Sequence, residues 1–138
     1  MQEKPDEVSL EVSRDGVRVF VSAGRWLYPL LDLEEFLAKR SVDPSRLSLR
    51  DKIVGRAAAL LIVRLGIQEV HAGILSRLGE EIFRTRGIRF SCDELVERIA
   101  CQTEELLRDV TDADEAHALI VSRARARAAA TRADGVPS

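Results

Sequence analysis

Cysteine is scarce in this chain. Cys92 and Cys101 are the only two in 138 residues, too few for a disulfide framework, and they read as free thiols of a reducing compartment. Nine residues apart, they would point in opposite directions from one continuous helix, so such a helix could not present both to one metal. Aromatic residues make up 4% of the sequence, Trp26 and five others. That leaves no stacking platform for single-stranded nucleic acid. Charge of one sign is not in excess either: 21 basic against 23 acidic residues give a net charge of -2, so neither nucleic acid nor an anionic membrane exerts a bulk attraction. No apolar run reaches the length of a membrane span. The opening "MQEKPDEVSL" is acidic and lacks the apolar core of a signal peptide, from which a cytoplasmic location is expected. No nucleophile elbow, P-loop or dinucleotide fingerprint occurs.

What is present describes one globular domain. Hydrophobic residues make up 46% and charged residues 32% of the sequence, enough for a real core at this length. The pattern divides into a polar leader over 1–7, a domain over 8–109, and a C-terminal helix with a frayed tail over 110–138. "VSLEVSRDGVRVFVSAG" alternates with period two around an Asp-Gly step, which predicts a hairpin with strands near 8–13 and 17–22. "WLYPLLDLEEFLAKR" has helical spacing with Pro29 in its first turn. "SVDPSRLS" is a loop at Pro44. Ser48 with Asp51 matches a capping box, so a helix is expected from 49 to Leu65, stopped by Gly66.

Beyond Gly66, "QEVHAGILS" reads as a buried strand, and Ser76 can cap the helix "RLGEEIFRTR". "IRFS" reads as a short strand and "CDELVERIACQTEELLRDV" as a helix. Thr111 with Asp114 repeats the capping box before a last helix, whose acidic start and arginine-rich end suit the helix dipole. His71 on its strand and His117 on the last helix read as a structural and an exposed histidine. The order predicts a three-layer α/β domain, a small mixed sheet with helices on both faces.

The candidate site lies in "LRDKIVGRAAALLIVRLG". On a helix, Asp51, Lys52, Gly55 and Arg56 would share one arc at the head of an otherwise apolar rod. Free N–H groups and two cations at a helix start suit a phosphate or carboxylate, and Gly55 would let it approach the backbone. The competing reading is structural: Asp51 as capping partner, Lys52 and Arg56 as solvated cations, Gly55 as a packing position.

"RDKIVGRAAALLIVRLGIQEVHAGILS" resembles a bacterial and archaeal family known as domain of unknown function 1893. Members typically carry Asp-Lys-x-x-Gly-Lys-Ala-Ala-Ala, a Gly-Val/Ile turn and a strand ending in serine. Arg56 here replaces the usual lysine, and the resemblance runs from about residue 8 to 108. It implies a cytidine-deaminase-like fold. Members usually end with a Gly-rich loop and Cys-Pro-x-Glu; "IACQTEELL" keeps Cys101 and Glu104 at that spacing but lacks the loop and the proline. Zinc deaminases need His/Cys-x-Glu and Pro-Cys-x-x-Cys at helix starts. The first place here carries Asp51, Lys52 and Arg56 and the second falls around Ser76, without cysteine, so no zinc and no deamination are expected.

The functional expectation is thus a site for a small anionic, nucleotide-like ligand or a metal of unspecified kind. Asp51, Cys101 and Glu104 are its candidate catalytic groups, and Lys52, Gly55, Arg56 and Ser76 its binding groups. The alternative is a non-catalytic interaction or regulatory domain. Self-association is left open.

Overall fold

The computed structural model describes residues 8–99, 107 and 109–135. Strands β1 (Leu10–Arg14) and β2 (Val17–Ser22) form the expected hairpin. Its turn residues Asp15 and Gly16 have φ of 52° and 83°, the left-handed values that a tight hairpin turn needs and Asp-Gly supplies at little cost. Helix α1 (Tyr28–Ala38) carries Pro29 in its first turn. A short 3-10 turn over 44–46 follows, its start held by Asp43 Oδ1, which accepts hydrogen bonds from the N–H and hydroxyl of Ser45.

The next segment departs from expectation. Residues Leu47–Val54 form strand β3, and helix α2 runs only from Arg56 to Leu65. "LSLRDKIV" alternates Leu47, Leu49 and Ile53 with polar residues, a period-two signal that the capping-box match and the apolar run behind it obscured. Gly55 is therefore the N-cap of α2, in extended conformation, and not a residue of the helix interior. Gly66 ends α2 with φ 90°, as read.

Strand β4 (Glu69–Ser76) leads into α3 (Arg77–Thr85). The Ser76 hydroxyl accepts from the Gly79 N–H at 3.1 Å, the expected cap. Strand β5 then continues well past the short strand expected, from Arg89 to Val96, paired with β4 from Glu69↔Arg89 to Ser76↔Val96. The helix expected from Cys92 is thus absent over 92–96, where pairing with a parallel neighbour overrides the local helical spacing. The last helix, α4, spans Ala113–Gly135. Its first turn is capped by Asp112, whose carboxylate accepts from the Asp114 N–H at 3.2 Å, one residue after the expected Thr111.

The sheet has the order β2-β1-β3-β4-β5. β1 is antiparallel to both neighbours, and β3, β4 and β5 are parallel. The register places Phe20, Val12, Leu49, Val70 and Phe90 in one row across it. Phe36 of α1 packs on Phe20 and Phe83 of α3 on Phe90, so both helices cover this face. Right-handed crossovers between parallel strands put α2 on the same side.

Helix α2 is buried on every side from Arg56 to Ile62, because α4 closes its outer surface with the fully buried Ala116 and Ile120. A charged clamp ties the layers. Arg64 donates to Glu34 of α1 and to Asp114 of α4, both at 3.0 Å, and His117 lies 2.9 Å from Glu34. Helices were expected on both faces of the sheet; the described helices lie on one, with α4 as an outer layer. The opposite face carries polar rows.

Candidate functional site

Alternation along β3 decides where the sequence-predicted site residues go. Asp51 falls in a row with Leu10 and Ala72, both fully buried, on the helix-covered side. Lys52, one residue on, points to the open face. The strand thus separates two groups that a helix would have kept on one arc. Burial pushes the Asp51 carboxyl up to about 7, although the backbone N–H groups of Ile53 and Lys52 donate to it and favour its charged form.

Gly55, Arg56 and Ser76 do meet, where β3 and β4 end and α2 and α3 begin. A side chain added at Gly79, in the first turn of α3, would come within 3.1 Å of the Gly55 carbonyl oxygen. Gly55, as N-cap, offers no side chain to the first turn of α2. Arg56 is 5% exposed, and its Nε–H donates to the Val110 carbonyl at 2.8 Å. That bond fastens the segment before α4 onto α2, which is a structural task. The hydroxyl of Ser76 is likewise engaged as a cap. Cys101 and Glu104 lie outside the described residues. Among the described residues no group of three or more His, Cys, Asp or Glu side chains is placed to hold a metal.

The open face carries residues that the sequence reading passed over. Two adjoining hollows, of about 360 and 280 Å³, share Glu11, Arg50 and His71. His71 bridges two residues of β5: its Nδ1 is 2.7 Å from the Ser91 hydroxyl and its Nε2 is 3.1 Å from Asp93 Oδ1. As a lone strand histidine it gave no signal. The polar partners of β5 become visible only once the β4–β5 register is known.

A sequence profile described as a domain of unknown function, DUF1893, matches residues 5–123. The chain belongs to this family. The match reaches past the expected limit near residue 108 and takes in the half of α4 that carries Ala116 and Ile120. The crystal structure of a DUF1893 family protein from Thermotoga maritima is similar, with 25% identity and a TM-score of 0.76, covering 86% of this chain and 82% of that one. No curated protein matches the chain. No helix among the described residues is long and apolar enough to cross a membrane.

Proposed function

We propose that this domain has a cytidine-deaminase-like fold, without zinc deaminase chemistry, and binds a small anionic ligand where α2 begins. The mixed sheet with helical crossovers between its parallel strands supports the fold reading. The chain contains no Cys-x-x-Cys and no His-x-Glu, and its Cys-x-Glu, Cys92 to Glu94, lies on β5 and not at a helix start, so it lacks the paired motifs that hold zinc and shuttle protons in those enzymes. Ligands of open α/β sheets gather beyond the carboxyl ends of parallel strands. There, the first turn of α2, whose N-cap Gly55 offers no side chain to its N–H groups, suits an anion.

Asp51 is the observation that carries this reading. A partly buried carboxyl that titrates near 7 exchanges its proton at neutral pH, the property of a binding-site donor or a general base. Structural burial also perturbs carboxyls, and one observation favours a scaffold instead: Arg56 is taken up by Val110. A thermal-shift panel of nucleotides, nucleosides, sugar phosphates and divalent metals, run on the parent and on Asp51→Asn, separates the two. Binding at this site predicts an anionic compound that stabilises the parent and loses that effect in the variant. A flat panel for both proteins would leave the interaction domain as the function.

A further inference from the structure

The charges on the open face do not balance locally. Glu11, Arg50, His71 and Ser91 stand in one register row, and Lys52 lies two residues beyond Arg50 on the same face of β3. Each carboxylate bordering this face has a partner. Glu11 accepts from Arg18 at 3.2 Å, Glu69 lies 3.5 Å from Arg89, and Asp93 lies 3.1 Å from His71. Glu11 sits directly opposite Arg50 and still bonds to Arg18. Among the described residues the side chains of Arg50 and Lys52 make neither a hydrogen bond nor an ion pair. Two unpaired cations, on a face whose acids are already matched, border hollows that share Arg50.

We infer that this groove binds the phosphate of a small phosphorylated polyol, with Arg50 and Lys52 on the phosphate and Ser91, held in place by His71, toward the hydroxyls. Side chains two residues apart on one strand rise about 6.5–7 Å from each other, a spacing that brackets a phosphate, and a guanidinium takes two of its oxygens at once. The serines bordering the first hollow, Ser13, Ser48 and Ser91, supply hydroxyls that both donate and accept, as sugar hydroxyls require. Phe90 borders the first hollow, but its ring packs on Phe83 on the helix-covered side, so among the described residues no Phe, Tyr or Trp ring faces the groove to stack a nucleobase, which favours a sugar. Asp51 borders the second hollow along the strand, but its row with the buried Leu10 and Ala72 puts its side chain on the other side of β3.

The test is calorimetric titration of the full chain with ribose 5-phosphate, ribose and inorganic phosphate, with amide shifts recorded in parallel. Ribose 5-phosphate should bind, free ribose should not, and inorganic phosphate should bind more weakly than the ester. Arg50→Ala should weaken binding at least tenfold and Arg50→Lys less, while Lys39→Ala on the far exposed surface should change nothing. Shifts should centre on Arg50, Lys52, His71 and Ser91, and Asp51→Asn should leave the affinity in place. No binding by the ester, equal binding by the Arg50→Ala and Lys52→Ala double variant, or shifts confined to the start of α2 would each overturn the assignment. The last of these would point to the Asp51 site.

Discussion

Moving the Asp51 carboxyl out of water disfavours its charged form, and two backbone N–H groups recover only part of that cost. Its folded value of about 7 lies above the roughly 3.9 of an unfolded aspartate. The stability tied to this group is therefore full below the unfolded value and is lost as pH rises through the folded one. Chemical denaturation between pH 5 and 8 should show that decline. Asp51→Asn, neutral throughout, should flatten it and exceed the parent at pH 8 by about 1–4 kcal/mol; parallel curves would mean a solvated carboxyl. Gly73 sets a second residue-scale constraint. A Cβ there would stand 2.7 Å from the Lys52 carbonyl oxygen, so Gly73→Ala must force β3 and β4 apart. A loss of about 1–3 kcal/mol is expected in urea unfolding.

Among the elements, α3 offers the sharpest test, since one buried hydroxyl holds its start. Ser76→Ala removes the acceptor for the Gly79 N–H, and urea unfolding should show a loss of about 1 kcal/mol. That cap was legible because a serine before an amphipathic helix acts locally. The Asp-Gly hairpin and the Gly66 stop were legible for the same reason: each depends on φ values that few residues tolerate. β3 was not. Ser48 and Asp51 satisfy the formal spacing of a capping box, yet β3 lies between β1 and β4, where ladder hydrogen bonds outweigh a local cap. β5 failed similarly, with "CDELV" holding helical spacing on paper and a parallel partner in the fold. The strand at Leu47–Val54 takes apart the site that a helix there would assemble. Asp51 and Lys52 share an arc on a helix and opposite faces on a strand.

At the scale of the molecule, α4 determines whether α2 can stay buried. Ile120 is fully buried against it, so Ile120→Ala should cost about 2–4 kcal/mol in thermal or chemical unfolding. Further along, Arg127 stacks over Trp26 with its guanidinium carbon 4.3 Å from the ring centroid, a contact worth about 0.5–1 kcal/mol at an exposed site. Deleting residues 123–138 should therefore lower stability only slightly. Deleting 112–138 should expose the outer side of α2 and abolish cooperative unfolding. Equal, small effects from both deletions would show that α4 is not part of the core. The Glu34 clamp adds a pH term of opposite sign to that of Asp51. Burial pushes its carboxyl up, but hydrogen bonds from His117 and Arg64 outweigh this and hold it below its ordinary value, so that contribution fades on acidification.

By itself the sequence determined the parts whose causes lie within a few residues: the hairpin turn, the α1 and α3 starts, the α2 stop, the apolar run of β4, and the missing zinc motif. Tertiary structure decided which face each charge occupies. A side chain's direction on a strand depends on register, and register is set by neighbours far away in the chain. Leu10 and Ala72 surround Asp51 from two other strands, and Arg50 reaches the same groove as His71 only because β3 and β4 pair at that position. Arg56, a plausible anion ligand by type, is committed to Val110 because the chain returns to α2 54 residues later, a contact no local pattern encodes.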